Sequence, residues 1–130
     1  MAYLTEIDAR HLMEEARLAS ENTYSPYSKF PVGAAVLTRN GNITRGCNVE
    51  NASYGLTICA ERIAIGNTLS MGIKDIVAIA VYTPVGPVPP CGACRQFIYE
   101  FGPDIVVVFN HGEEMLQKTI SELLPFAFRF

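Results

Sequence analysis

Apolar residues recur at helical spacing in three stretches of the chain. The first stretch begins after Thr5 and repeats apolar side chains every three or four residues, while Asp8 stands where a helix N-cap places a polar partner. Two further stretches, near 59–70 and 93–101, are bounded by turn residues and have the length of short helices. The pattern therefore predicts three helices of ordinary length.

Five segments between these helices have the composition of strands: they cover about 31–38, 43–47, 76–81, 105–109 and 114–118. Asn40-Gly41 joins the first two, and this dipeptide is the strongest short-range signal of a β-hairpin. The third and fourth segments are continuous apolar runs rich in Val and Ile, which is typical of strands buried on both faces. We expect a turn over 110–112 before the last strand.

The predicted elements follow the order α-β-β-α-β-α-β-β-α. The last helix is a single turn, for which Thr119 and Glu122 supply a capping-box pattern. Helices that alternate with buried strands indicate a layered α/β domain with helices on both faces of the sheet. At 130 residues, without a repeat or a low-complexity tract, the chain is expected to form one domain over 1–130.

Composition excludes several classes of protein. Hydrophobic residues make up 49% of the chain and charged residues 18%, so the chain is apolar enough to fold. The net charge of -3 argues against nucleic-acid binding through a basic surface. No apolar run approaches the roughly 20 residues of a membrane span, and acidic residues near the N-terminus argue against a signal peptide. We therefore expect a cytoplasmic protein whose partners include neither nucleic acid nor membrane.

Cysteine is the residue type that points to chemistry. The chain has four, and in a reducing compartment we do not expect them to form structural disulfides. Cys59 opens the second predicted helix, while Cys91 and Cys94 open the third. Helix N-termini favour anions and lower thiol pKa values, so three thiolates can converge there on Zn²⁺. Three protein ligands leave the fourth tetrahedral position open, as in catalytic zinc sites.

Glu61 follows the first of these cysteines by two residues. In this position a carboxylate can take a proton from water activated by zinc and return it as a general acid. Zinc with three thiolates carries a net negative charge, which activates water less well than a cationic centre does. Arg62 and Arg95 are the nearby cations in the sequence, and we expect hydrogen bonds from both to sulfur to offset that charge.

Two other interpretations of the cysteines remain open at this point. Cys91 and Cys94 have the spacing of a redox dithiol, and Cys47 would supply the fourth sulfur of a closed structural zinc site. Either arrangement would make the protein a non-catalytic module. We expect instead that Cys47 ends a strand as a small buried thiol. His11 and His111 have no partner at ligand spacing, so we expect both at the surface.

Longer sequence motifs surround these residues. Cys59-Ala-Glu61 together with Pro90-Cys-Gly-Ala-Cys94 resembles the motif of zinc nucleobase deaminases, with Cys in place of His as the first ligand. The stretches that carry a wider resemblance are 24–35, 46–57, 59–62, 90–96 and 122–125. With them, the sequence resembles the small homotetrameric cytidine deaminases over nearly its whole length. Taken together, these motifs are highly specific.

The resemblance implies a three-layer α/β/α fold with a five-stranded mixed sheet. It also implies a hydrolysis that converts cytidine or deoxycytidine to uridine or deoxyuridine and releases ammonia, as in pyrimidine salvage. Cys59, Cys91 and Cys94 match the ligands of one zinc ion per subunit, and Glu61 matches the proton shuttle. Blasticidin S deaminase, a relative with the same motif, is the alternative in substrate, as is a deaminase of another modified cytosine nucleoside.

The resemblance also assigns residues around the metal. Those it places in substrate binding are Phe30, Asn48, Glu50, Ala60, Tyr54 and Phe128. Phe30 is expected to lie beside the pyrimidine, and Asn48 and Glu50 to hold the ribose hydroxyls; without the resemblance, these two would be interpreted as solvated turn residues. Arg95 and Gln96 follow the last cysteine as in the family, where these positions support the metal site.

Active sites in this family are completed by neighbouring subunits of a homotetramer. Tyr54 and Phe128 are therefore expected to reach a neighbour's site, with Phe126 and Phe130 as close competitors of Phe128. Four positions depart from the usual pattern of the family, namely Ile58, Ile63, Gly66 and Pro89. Gly66 lies within the second predicted helix, where it weakens the helix and leaves room for a close helix approach.

Overall fold

A computed structural model describes residues 3–130 of the chain. Its elements, in chain order, are α1 (Glu6–Ser20), β1 (Gly33–Thr38), β2 (Ile43–Cys47), α2 (Ala60–Ser70), β3 (Ile76–Tyr82), α3 (Gly92–Tyr99), β4 (Val106–His111), β5 (Glu114–Thr119) and α4 (Ile120–Leu123), with one 3₁₀ turn over Tyr54–Leu56. The predicted element order is confirmed. Within the described residues, no helix combines the length and the apolar character that a membrane span needs.

The five strands form one mixed sheet in the order β2-β1-β3-β4-β5. β3 and β4 pair in parallel through the α3 crossover, and the other neighbours pair antiparallel. A parallel pair requires such a crossover, whereas antiparallel neighbours can be joined by short turns. Cys47 at the end of β2 and Tyr82 at the end of β3 both pair with Gly33 of β1. The segment that follows β2 and the loop that leads from β3 to α3 therefore leave the sheet at the same end of its strands.

Helices cover both faces of this sheet, as the sequence pattern predicts. α1 packs on one face, and α2 and α3 pack on the other. Alternate residues of each central strand point to opposite faces: Val107 and Phe109 join the core under α2 and α3, while Val106 and Val108 join the core under α1. The three-layer arrangement follows because both faces of β3 and β4 are apolar.

Two glycines allow the helices to lie directly on the strands. A Cβ atom at Gly33 would stand 2.0 Å from the carbonyl oxygen of Ala16 in α1. A Cβ atom at Gly46 would stand 2.3 Å from the backbone nitrogen of Ala64 in α2. Gly66 is different, because among residues 3–130, apart from its chain neighbours and the backbone of its own helix, no atom lies within 4 Å of its Cβ position. The expectation that another helix approaches α2 closely at Gly66 is therefore wrong within the chain.

Local capping signals placed the starts of α1 and α4 correctly, while several other element ends differ from the predicted ones by one or two residues. Thr5 caps α1 by accepting a hydrogen bond from the backbone of Asp8, and Thr119 forms the predicted capping box with Glu122. The turn predicted over 110–112 is wrong, since β4 continues to His111 and pairs there with Glu114 of β5. Only residues 112–113 turn, because the glycine at 112 adopts a positive φ of 64°, which tight hairpin turns require.

Candidate active site

Three cysteine sulfurs meet at the N-termini of two helices. Cys59 caps α2, Cys91 caps α3, and Cys94 lies in the first turn of α3. Their sulfur atoms lie within 4.8 Å of one another. Tetrahedral zinc with Zn–S bonds of about 2.3 Å needs sulfurs about 3.8 Å apart, so small side-chain rotations bring this set to the required geometry. The donor set fits zinc, with one coordination position left for another ligand.

The electrostatics of this cluster favour the thiolate form of Cys59. A hydrogen bond from the Cys94 thiol, assisted by the Arg62 guanidinium, lowers the pKa of Cys59 to about 5. The same hydrogen bond, together with burial, raises the pKa of Cys94. Arg62 Nη2 lies 3.4 Å from Cys59 Sγ, so the sulfur contact predicted for Arg62 is present. Two helix N-termini and one guanidinium thus oppose the negative charge that three thiolates bring.

Cys47 lies outside the cluster. Among residues 3–130, the ligand group that can hold a metal consists of the other three cysteines alone. The Cys47 thiol instead donates to the carbonyl oxygen of Asn22 at 3.4 Å, and burial raises its pKa. It ends β2 as predicted, although it is half-buried rather than fully buried. The closed site with four sulfurs is therefore wrong.

Glu61 presents its carboxyl group beside the three sulfurs. It lies in the first turn of α2 and is only 4% exposed. Burial raises the pKa of Glu61 to about 7, and the negative charge of Cys59 adds to this effect. A carboxyl group whose pKa lies near neutrality can both accept and donate a proton, which is what a proton shuttle requires.

A cavity of about 380 Å³ opens next to this carboxyl group. Its walls bring together the metal cluster and four of the residues predicted to bind substrate, namely Phe30, Asn48, Glu50 and Ala60. Val32, Val88 and Pro89 complete an apolar lining, and no lysine or arginine is among the lining residues. Such a cavity suits a flat, uncharged ligand with a polar end.

Asn48 and Glu50 point to the same side of the chain because they flank Val49 in an extended segment. Both are buried, at 8% and 9% exposure, so the interpretation as solvated turn residues is wrong. The amide oxygen of Asn48 accepts hydrogen bonds from the backbone of Val32 and from the Thr23 hydroxyl. Its nitrogen donates to the carbonyl oxygen of Phe30 at 3.0 Å, which leaves one amide hydrogen for a ligand.

Tyr54 and Phe128 do not line this cavity within the chain. Tyr54 borders an adjoining hollow of about 350 Å³ that shares Glu50 with the cavity. Its ring lies 6.1 Å from that of Tyr27, and the side chain is 75% exposed. Phe128 is 67% exposed, with its backbone held by both ends of the Gln96 amide. Their reach into a neighbouring subunit stays a prediction.

Arg95 does not contact sulfur, so that part of the sequence prediction is wrong. Its Nε donates to the carbonyl oxygen of Pro90 and its Nη1 to that of Leu123, both at 2.8 Å. The side chain turns from the metal cluster because these two carbonyl groups offer it well-placed acceptors. Gln96 likewise contacts the backbone of Phe128 and not the cluster. Both residues therefore tie the C-terminal segment to the helix that carries two cysteines.

Ser28 and Thr57 line the cavity but were not singled out in the sequence. Ser28 lies two residues before Phe30 in the loop that contains Pro26, and this position is the only feature of the sequence that indicates a place near the site. His11 and His111 are exposed, as predicted.

Comparison with known proteins agrees with this geometry. A model of the cytidine and deoxycytidylate deaminase zinc-binding region matches residues 6–110. The chain belongs to this family. A cytidine deaminase of Halalkalibacterium halodurans is 50% identical over 125 residues, which cover 94% of this chain and 95% of that protein. A blasticidin-S deaminase of Bacillus cereus is 35% identical over 124 residues, covering 87% of this chain and 89% of that protein.

Solved structures of the family confirm the predicted fold. The crystal structure of cytidine deaminase from Burkholderia pseudomallei superposes with a TM-score of 0.87 at 45% identity. The match covers 96% of this chain and all of that one. The chain is therefore a hydrolytic enzyme of the cytidine deaminase family, and its metal is zinc, which the cluster of three cysteines fits.

Proposed function

We propose that the protein hydrolyses cytidine and deoxycytidine to uridine and deoxyuridine and releases ammonia, a reaction of pyrimidine salvage. The observation that carries this proposal is the cavity that joins the buried carboxyl group of Glu61 and the cysteine cluster to a polar end formed by Asn48 and Glu50. The relative with 50% identity is itself a cytidine deaminase, which supports the same conclusion.

The residues around the cavity divide the chemistry among them. Cys59, Cys91 and Cys94 would hold zinc, which would supply Lewis-acid activation of a water molecule. The Glu61 carboxylate accepts a proton from the attacking water and delivers it to ring N3, so that C4 becomes electrophilic. After the C4–O bond has formed, Glu61 takes the remaining proton of that water from the new C4 hydroxyl and passes it to the amine, which leaves as ammonia when the C4–N bond breaks. One water is consumed for each ammonia released.

The walls of the cavity orient the base for this attack. Phe30 lies beside the pyrimidine, and Ala60 and Val32 limit the thickness of the ring that can enter. Asn48 and Glu50 then meet the sugar hydroxyls at the other end. Holding the sugar fixes C4 next to the metal and N3 next to Glu61, which converts binding energy into orientation.

Charge favours a nucleoside over a nucleotide as the substrate. Neither the cavity nor the adjoining hollow is lined by a lysine or an arginine, and Glu50 contributes a carboxylate to both. A phosphate group brought near this carboxylate would meet a like charge without a cation to balance it. We expect kcat/KM for deoxycytidine 5′-monophosphate to be at least about 10²-fold below that for deoxycytidine, since like-charge contacts cost several kcal/mol.

An ultraviolet assay of deamination tests both the proposed function and this preference. The substrates are cytidine, deoxycytidine, its 5′-monophosphate, free cytosine and blasticidin S. The two nucleosides are expected to be the best substrates. Blasticidin S is the second candidate, because a relative with 35% identity acts on it. Highest efficiency on blasticidin S would contradict the proposal in favour of that candidate, and equal turnover of the monophosphate would contradict the charge argument.

We propose further that the protein acts in the cytoplasm as a homotetramer with shared active sites. Four free thiols support the location. Exposed aromatic side chains at Tyr54, Phe126, Phe128 and Phe130 support the assembly, because a monomer would leave them in water. Light scattering is expected to give about four times the 14.3 kDa mass of one chain. A monomer that deaminates cytidine at full rate would contradict shared sites.

A further inference from the structure

The loop before β1 surrounds the carboxylate of Glu50 with hydrogen-bond donors. The backbone N–H groups of Tyr27 and Ser28 donate to Oε1 at 2.9 and 3.1 Å. The Ser28 hydroxyl donates to Oε2. Two successive N–H groups that point at one anion form a nest, a backbone arrangement that binds negative charge. Here the anion in the nest is a side chain of the same protein.

An unusual backbone conformation accompanies this nest. Lys29 has a φ of 55°, which L-residues other than Gly, Asn and Asp rarely adopt. The turn is held by a hydrogen bond from Lys29 N to the carbonyl oxygen of Ser25 and by another from Phe30 N to Ser28 Oγ, both at 3.1 Å. This conformation reverses the chain so that Ser28 faces Glu50 while Phe30 faces the cavity. Backbone strain of this kind concentrates at functional sites.

The hydrogen bonds that Glu50 already accepts determine how many acceptor positions its carboxylate has left for a ligand. Each carboxylate oxygen accepts about two hydrogen bonds, so Oε1 is filled by the two N–H groups. Oε2 has accepted one hydrogen bond, from the Ser28 hydroxyl, and keeps one acceptor position free. The Ser28 hydroxyl and the two N–H groups also keep the pKa of Glu50 below its usual range, so the carboxylate is ionised at neutral pH.

We propose that Ser28, presented by the left-handed turn at Lys29, is the positioning residue that aims the free acceptor of Glu50 at a single sugar hydroxyl. The inference rests on the proposed function and deepens it, because it names the residue that determines which sugar hydroxyl Glu50 recognises. Glu50 then distinguishes a sugar that keeps this hydroxyl from one that lacks it. The other ribose hydroxyl makes no hydrogen bond with Glu50.

Ser28→Ala tests the proposal when it is compared across three substrates: cytidine, 2′-deoxycytidine and 3′-deoxycytidine. For substrates that keep the hydroxyl, we expect KM to rise about 10-fold with kcat within about twofold, since hydrogen bonds to charged groups are worth roughly this much. For the one substrate that lacks the hydroxyl, KM should be the same in wild type and variant. An equal rise for all three substrates would mean a merely structural role and would overturn the proposal.

Ser28→Thr is the matched control, because it keeps the hydroxyl and Ser28 lies at an exposed position. It should restore the wild-type KM, and failure to do so would contradict the hydroxyl's role. Lys29→Gly removes the strain and should leave KM unchanged, whereas Lys29→Val, a β-branched residue at positive φ, should raise KM as Ser28→Ala does. An unchanged KM in Lys29→Val would overturn the part assigned to the turn.

A second measurement is independent of the reaction. The Glu50 carboxyl carbon, assigned by its loss in Glu50→Gln, is titrated by NMR in the wild type and in Ser28→Ala. We expect its pKa to rise in Ser28→Ala, because the largest cause of its lowering is removed. An unchanged pKa would overturn the contact with Ser28. If the wild type deaminates no cytosine nucleoside, the proposed function fails, while this titration still judges the role of Ser28.

Discussion

Glu61→Gln is expected to reduce cytidine deamination at least about 10²-fold while the protein still folds and binds one zinc ion per chain. Removing a general acid and base costs about 10²- to 10⁴-fold, and Gln can neither accept nor release the proton that moves between water, ring N3 and the amine. The zinc ligands are untouched, because the carboxyl group of Glu61 belongs to the cavity wall rather than to the sulfur cluster. The loss should therefore fall on kcat.

Steady-state kinetics and metal analysis of the same preparation check this expectation. Cys47→Ala is the matched control, because that thiol lies outside the cluster and should keep both the zinc and the rate. Cys59→Ala should lose both. A Glu61→Gln variant with wild-type turnover would refute the proton shuttle. Zinc loss in Cys47→Ala would revive the structural role that the geometry argues against.

Gly33→Ala is expected to lower the melting temperature by roughly 10 °C or more. The new Cβ would stand 2.0 Å from Ala16 O and 2.5 Å from Ser20 N, and both are backbone atoms that cannot rotate away. α1 must then move off the sheet, so the cost should reach at least the upper end of the 1–3 kcal/mol typical of overpacking. For a chain of this length, about 3 kcal/mol corresponds to that shift in melting temperature.

Gly66→Ala is the matched control for this prediction. The chemical change is identical and the position is inside α2, but the new Cβ meets no described atom within 4 Å apart from its chain neighbours and the backbone of α2 itself. Alanine should stabilise the helix by about 0.5–1 kcal/mol, so thermal unfolding should occur at the same or a slightly higher temperature. Equal melting temperatures for the two variants would show that α1 does not rest on Gly33 in solution.

The fold followed from local signals where burial and sequence pattern agree. The apolar runs of β3 and β4 predicted strands buried on both faces, and both faces are indeed covered. Thr119 and Glu122 placed the start of α4 because a capping box is a contact between neighbours in sequence. The end of β4 was misplaced because Asn110 and His111 are polar, and only pairing with β5 keeps them in a strand.

The site was predictable where its residues are close in sequence and unpredictable where they depend on distant backbone. Cys59 and Glu61 are two residues apart at the start of α2, so their proximity follows from the sequence itself. The predicted contact of Arg95 with sulfur is wrong because its hydrogen-bond acceptors are carbonyl groups 5 and 28 residues away in the sequence. Lys29 gave no signal either, since lysine has no preference for positive φ and the conformation is imposed by the contacts around it.

One face of the sheet packs closely against α1 and the other lies next to the cavity, and this difference limits which positions can change during evolution. Under α1 the sheet contributes small fully buried side chains, Ala35, Ala78 and Ala80, which face alanines of the helix. A larger side chain there would overpack a fully buried layer, so lineages should retain small residues at these positions. The cavity is walled from the opposite face, by loops and by the first residues of α2. New substrate preferences can therefore arise there while the alanine layer stays unchanged.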